Sequence, residues 1–148
     1  MSLLQIPSVL IDLDGTLANV NERRKDFIVK KDWDAFYSRI EEDVLNVWCK
    51  EIIERFKTEY KIIILTGRNE KYRSQTLSWL RINGISYDEI HFRGEKDFRQ
   101  DDIVKKELYE KFIADKYEVL FVVDDRASVV KMWRSIGLTC LQCDEGNF

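Results

Sequence analysis

The sequence predicts an α/β fold: a doubly wound, Rossmann-like three-layer sandwich with a central parallel sheet. Three observations carry this. Short apolar runs recur along the 148 residues. These runs lack polar alternation, which marks strands buried on both faces and hence a parallel sheet. Helical patterns stand between them, so strand and helix alternate as right-handed crossovers require.

The strand candidates are Val9-Leu10-Ile11, Ile62-Ile63-Ile64-Leu65 and Val119-Leu120-Phe121-Val122-Val123, with weaker runs at Ile90-His91-Phe92 and Thr139-Cys140-Leu141. Helical spacing relates Val44, Val47, Trp48, Ile52 and Phe56, and again Val104, Leu108 and Phe112. Asn69 to Asn83, followed by Gly84, and Ala127 to Ile136, closed by Gly137, are the other two helices, each with glycine where a helix C-cap favours it.

With one proline, no Gly/Ser-rich stretch and no internal repeat, no linker presents itself, and residues 1–148 read as a single domain. The segment from about 18 to 42, after the first strand, is too short for a large lid and reads as a small helical cap insertion that leaves a cleft open. A hydrophobic content of 45% supports one core. Charged residues make up 34% but nearly cancel to a net −3, which excludes the global basic field of a strong nonspecific nucleic-acid binder. No stretch approaches the roughly 18 apolar residues of a membrane span, and three cysteines suit a reducing compartment. The expectation is a soluble, cytoplasmic protein without membrane contact.

The three strongest strands each run into a polar cluster: Asp12-Leu13-Asp14-Gly15-Thr16, Thr66-Gly67-Arg68 and Asp124-Asp125-Arg126. Ligands of open parallel sheets bind beyond the carboxyl ends of the strands, so the three clusters should converge. Four carboxylates in one cleft repel one another and would repel a phosphate dianion, which makes sense around a divalent cation; oxygen-only ligands point to Mg2+. Asp12 can then attack phosphorus, forming an aspartyl-phosphate. Asp14, two residues on, can protonate the leaving alkoxide and later deprotonate water. The Thr66 hydroxyl, the Gly67 N–H and a lysine ammonium are suitable donors to the transferring oxygens. Of Lys105 and Lys106, the second lies opposite the Val104, Leu108 and Phe112 face at about 100° per residue, so Lys105 is chosen. Arg68 could also form a salt bridge to the aspartates but is taken as substrate-facing; for Arg126 the same two readings stay open.

These residues resemble the four ordered motifs of the haloacid dehalogenase superfamily, across nearly the whole chain. The resemblance implies a phosphatase, because Asp14 stands where the superfamily's phosphatases carry their acid/base. It further implies magnesium ligated by the carboxylates of Asp12 and Asp124 and the backbone carbonyl of Asp14, with Asp125 acting through water or behind the direct ligands. The segments Leu65–Arg68, Asp101–Glu107 and Asp124–Gly137, with the ending Gly146-Asn147-Phe148, resemble the 3′-phosphatase domain of bacteriophage polynucleotide kinase-phosphatase. No glycine here is followed by lysine, so the P-loop of that family's kinase half is absent. The stretch between Arg68 and the helix over Tyr72–Leu80 is also shorter than in that family.

Other features have a plainer reading. Cys140 and Cys143 have the CxxC spacing, yet residues three apart on a strand face opposite sides, so they read as structural. His91 reads as structural and without a partner among its neighbours. Trp33, Phe36 and Tyr37 read as packing before base stacking. Arg23, Arg24, Lys25, Lys30 and Lys31, and a second group of Arg93, Lys96 and Arg99, are solvated surface or phosphodiester contacts.

The expectation is therefore an Mg2+-dependent phosphomonoester hydrolase that removes 3′-phosphates from polynucleotide ends. A mononucleotide or small-metabolite phosphatase, a non-catalytic module that binds nucleic-acid ends, and phosphotransfer to another alcohol are the rivals. No protein partner is deducible from the sequence.

Overall fold

A computed structural model of the chain describes residues 4–30 and 32–148, and for residues 26–30 and 33 the backbone alone. Lys30, Lys31 and the Trp33 side chain, named above as candidate contacts, lie outside the described residues or side chains.

The chain opens with β1 (Ile6–Ile11), then β2 (Ala18–Asn19), α1 (Asn21–Lys30) and α2 (Trp33–Ser38). Asp32 caps α2, its side chain accepting from the N–H groups of Asp34 and Ala35. A single 3₁₀ turn at Ile40–Glu42 leads to β3 (Val44–Leu45), which pairs antiparallel with β2. There follow α3 (Val47–Phe56), β4 (Lys61–Asn69), a 3₁₀ turn at Glu70–Tyr72, α4 (Arg73–Ile82) and β5 (Glu89–Arg93). The chain closes with α5 (Asp101–Phe112), β6 (Tyr117–Arg126), α6 (Ala127–Ser135) and β7 (Cys140–Gly146).

All five strand candidates enter one sheet, in the order β5-β4-β1-β6-β7. Every pairing in it is parallel. The chain winds outward from β1 to β5, then restarts on the other side at β6. The winding therefore reverses beside β1, where ligands of such sheets bind. Period-two alternation divides the core into two clusters. Val9, Ile11, Ile62 and Ile64 pack with Ile53 of α3 and with Trp79 and Leu80 of α4. Leu10, Ile63, Leu65 and Val122 pack with Val129, Val130 and Trp133 of α6. Helices cover both faces, giving the three-layer sandwich. Among the described residues no helix is long and apolar enough to cross a membrane.

Three expectations are corrected. The helix expected to carry Val44 begins at Val47; Val44 pairs with Asn19 in β3 instead. The buried face of α3 then runs through Cys49 and Ile53, so Val47 and Trp48 turn outward, 63% and 43% exposed. Asn69 ends β4 rather than starting a helix, because its side chain caps the 3₁₀ turn by accepting from the Lys71 N–H. Phe112 is 39% exposed and stacks on His91 at 4.5 Å instead of entering the core.

Candidate active site

The loop after β1 folds back on itself to aim Asp12 into the cleft. The N–H groups of Thr16 and Ala18 both donate to Leu13 O, at 3.1 and 2.9 Å. Gly15 takes φ +84, and a Cβ there would stand 2.1 Å from Asp125 Oδ2, so glycine is required by conformation and by space. The turn brings the Thr16 hydroxyl back to donate to Asp12 Oδ2 at 3.0 Å.

Lys105, on the second turn of α5, is 2% exposed and donates to Asp12 Oδ1 at 2.7 Å and to Asp124 Oδ2 at 3.0 Å. Lys106 is exposed. Asp124, at the end of β6, is held further by the indole of Trp133 at 3.3 Å and by the N–H of Asp125 at 2.9 Å. Asp125 accepts from Arg24 at 3.1 Å. Carboxylate oxygens of Asp12, Asp124 and Asp125 all lie within 4.8 Å of one another. Burial pushes the Asp12 carboxyl well above its ordinary pKa, and Asp124 adds to this while Lys105 opposes it. Burial and Asp124 push Asp125 up as well. Burial would lower Lys105, but Asp12 and Asp124 outweigh it and hold the ammonium charged. Three crowded, buried carboxylates against the Lys105 ammonium and the Arg24 guanidinium suit a hard divalent cation with oxygen ligands.

Asp14 faces elsewhere. Its carboxylate accepts from Arg23 Nη2 at 2.7 Å, from Arg68 Nη2 at 2.7 Å and from Arg68 Nε at 3.0 Å. Burial alone would raise its pKa, yet Arg68 and then Arg23 hold it far below the carboxylate range. Arg23 also grips Asp43 through two bonds of 2.7 and 2.6 Å, with Phe36 beneath its guanidinium at 4.5 Å. The side chain of Asp14 is therefore not part of the three-carboxylate group.

Arg68 is corrected from a substrate-facing residue to an internal one. It is 0% exposed, with its other end donating to Thr76 Oγ1 at 3.1 Å, so Asp14 rather than solvent takes its charge. Thr66 and Gly67 stand on the strand beside Asp12. The Thr66 hydroxyl accepts from the Arg68 N–H at 3.0 Å. A Cβ on Gly67 would come within 2.4 Å of Asp101 Oδ1. Asp101 is itself tied to Arg93 and Arg126, the latter at 2.9 Å.

The sequence reading missed Asp43 and Asp101 as neighbours of the cleft, and it expected Arg23 at the cleft mouth without foreseeing that it would be buried between Asp14 and Asp43. Arg23 stood inside a basic run with nothing to distinguish it, and it is 2% exposed rather than solvated. Of the rest of that run, Arg24 stacks on Phe148 at 4.2 Å and Lys25 pairs with Glu22 at 3.2 Å. The second basic group is largely self-neutralised, since Arg99 bonds Asp97 and Glu107. His91 does have a partner, Glu89 at 3.0 Å, two residues back on the same strand face. Cys140 is buried in the core and Cys143 sits 3.6 Å from the Thr16 hydroxyl; all three cysteines are free.

Residues 7–148 match the family described as the polynucleotide kinase PNKP phosphatase domain. A chain in the Pnkp1/Rnl/Hen1 RNA repair complex is 36% identical, with a TM-score of 0.86 over 100% of this chain and 47% of that one. A protein of Autographa californica nuclear polyhedrosis virus, described as a "Putative bifunctional polynucleotide kinase/RNA ligase", is 28% identical over 130 residues, 87% of this chain and 18% of the viral one. The chain thus spans about half or less of these two relatives. A haloacid dehalogenase-like hydrolase of Streptococcus pneumoniae shares the fold, with a TM-score of 0.64 at 16% identity over 93% of this chain and 84% of that one.

Proposed function

This chain belongs to the polynucleotide kinase PNKP phosphatase-domain family and is a phosphatase of haloacid dehalogenase-like fold, and from that premise we propose that it removes terminal 3′-phosphates from nucleic acid, RNA foremost, through an aspartyl-phosphate on Asp12. The observation that carries the reading is Asp12 itself: buried, with one oxygen fixed by Lys105 and the other by Thr16, at the point where the winding of the sheet reverses. Its neighbours Asp124 and Asp125 complete a group suited to Mg2+, with the Asp14 carbonyl as a further ligand. Magnesium, when bound, neutralises these carboxylates and polarises the phosphoryl oxygens.

The chain's own residues do the rest. Asp12 attacks phosphorus in line and the bond to the sugar oxygen breaks. The Lys105 ammonium, the Gly67 N–H and the Thr66 hydroxyl receive the charge that develops on the transferring oxygens. In its protonated form Asp14 gives that proton to the departing 3′ oxygen, and the carboxylate this leaves takes one back from the water that splits the acyl-phosphate. Arg23 and Arg68 position Asp14 and favour its ionised form, which suits it to the second half-reaction and opposes the first, so these ion pairs must loosen for Asp14 to take up the proton it gives to the leaving group. The short helices between residues 18 and 42 form a small cap that leaves room for a polymer end. The sequence named no protein partner, but the RNA repair complex of the 36%-identical relative supports an assembly with other repair proteins.

Phosphate release from matched 3′- and 5′-phosphorylated RNA oligonucleotides, with magnesium or EDTA, tests the reading. Magnesium-dependent release from the 3′ end alone is expected. Release from small esters only would remove the polymer substrate, and binding without release would leave an end-binding module.

A further inference from the structure

We propose that Arg24 and Arg126, both set against the ring of Phe148, hold the phosphodiester that joins the 3′-terminal nucleotide of the substrate to the rest of its strand. The inference rests on the reading above that the substrate is a nucleic-acid 3′ end, and it names the group that makes a strand a better substrate than a free nucleotide.

Exposure shows where a substrate enters. Asp12, Lys105, Asp124 and Asp125 are buried. Asp14, Asp101, Arg24 and Arg126 keep 21, 22, 26 and 33% of their side chains exposed, so these four line the mouth. Contacts join them into a rim. Arg126 bonds Asp101 at 2.9 Å, and its guanidinium lies 5.0 Å from the Phe148 ring. The Arg24 guanidinium lies 4.2 Å from the same ring, and Arg23, its neighbour on α1, bonds Asp14. Burial, then Asp14 and Asp101, push the Tyr37 pKa up, which sets the two carboxylates around one space. One side of the rim is thus acidic and the other carries two cations. Arg24 Nη2 bonds Asp125 at 3.1 Å, and carboxylate oxygens of Asp125 and Asp12 lie within 4.8 Å of each other, so the cationic side adjoins the reaction centre.

The backbone is shaped to put Phe148 there. β7 pairs with β6 in a register that sets Gly146 beside Arg126. A Cβ on Gly146 would stand 2.1 Å from Asp125 O and 2.6 Å from Arg126 Cα, so glycine lets the chain press against the strand end and carry Phe148 to the mouth. Arg126 Nε then donates to Phe148 O at 2.7 Å and fixes the residue. An aromatic face attracts a guanidinium without using up its N–H groups. Among the described residues Arg24 engages Nη2 alone, and Arg126 keeps Nη2 open. Two guanidinium groups gathered at one ring repel, and an anion on their open donors offsets the repulsion through charge-assisted bonds. In the reading above the terminal phosphate has its own partners in Lys105, Thr66 and Gly67. The next anion along a strand is the phosphodiester, and backbone contacts of this kind position a strand without reading its sequence.

The test compares two 3′-phosphorylated dinucleotides that differ in one group, the linkage between their nucleosides being a charged phosphodiester or a neutral methylphosphonate. Wild type should favour the charged one about tenfold in kcat/KM, mainly through KM, the worth of one charge-assisted bond. Arg24→Gln should remove most of that preference, and Arg24→Lys, which keeps the charge, should retain most of it. Damage passed through Asp125 to the reaction centre lowers both substrates alike and leaves the ratio unmoved. Equal kcat/KM for the two substrates in wild type, or a full preference in Arg24→Gln, overturns the inference and leaves the 3′-phosphatase reading intact. Failure of that reading looks different, as wild type would release phosphate from neither dinucleotide. A second measurement does not depend on turnover. Affinity of the charged dinucleotide for Asp12→Asn, followed against salt concentration by calorimetry, should have a log–log slope smaller by about one when Arg24→Gln is added; an unchanged slope overturns the inference.

Discussion

Replacing Lys105 by methionine keeps most of the buried stem and removes the ammonium from between Asp12 and Asp124. Carboxylate oxygens within 4.8 Å of each other repel by about 3.5 kcal/mol per pair at an effective dielectric constant of about 20. Breaking a buried ion pair from one side costs about 3–5 kcal/mol. For a chain of this length that is a fall in Tm of roughly 10–15 °C, at about 3 °C per kcal/mol. The assay is thermal unfolding in EDTA at neutral pH. The deficit also has a predicted pH dependence. Burial and Asp124 raise the Asp12 pKa in the folded state, and losing Lys105 raises it further. A raised folded pKa stabilises the fold at low pH, and that contribution is lost as pH rises, so the deficit should shrink on acidification. Magnesium should raise Tm more in the variant than in wild type, since the ion then supplies the missing charge. A variant within about 1 kcal/mol of wild type in EDTA would refute the electrostatic reasoning.

Asp14→Asn should cost about 10²–10⁴-fold in kcat/KM on a 3′-phosphorylated oligonucleotide and far less in kcat/KM on p-nitrophenyl phosphate, whose leaving group needs no proton; equal losses in kcat/KM would remove Asp14 from protonating the leaving group. Gly67→Ala pushes a methyl against Asp101, which Arg93 and Arg126 hold in place, so stability should fall by about 1–3 kcal/mol in denaturant unfolding, and kcat/KM with it. Burial would raise the Glu89 pKa, but bonds from Tyr117, His91 and Lys116 lower it below its ordinary 4.5. That contribution is present above about pH 4.5 and lost as pH falls through the folded value, so Glu89→Gln should flatten the acid limb of the stability curve, and an unchanged limb would refute the assignment.

The strands were legible because burial on both faces leaves continuous apolar runs, and all five candidates pair in the sheet. The polar clusters were legible because they follow those runs directly, so strand ends bring Asp12, Asp124 and Asp125 together. Lys105 could be separated from Lys106 because one residue turns a helix by about 100°. Arg23 and Asp43 were not legible. Their pairing spans 20 residues, and a buried arginine looks like a surface one until its carboxylates are placed. Arg68 was ambiguous for the same reason. Val44 continued a helical spacing by coincidence, as pairing with Asn19 decides its place. The partner of His91 was readable in principle, since Glu89 lies two residues back, on the same face of any strand.

The central claim is that Asp12 carries the phosphoryl group during turnover. The most direct test is to mix the enzyme with a 3′-phosphorylated RNA oligonucleotide and magnesium, quench in acid within the first turnover, and map the protein by mass spectrometry. The account predicts one phosphoryl group on the peptide containing Asp12, absent in Asp12→Asn, which should also lose turnover. Turnover retained in Asp12→Asn, or a phosphoryl group trapped on a different residue, would contradict it.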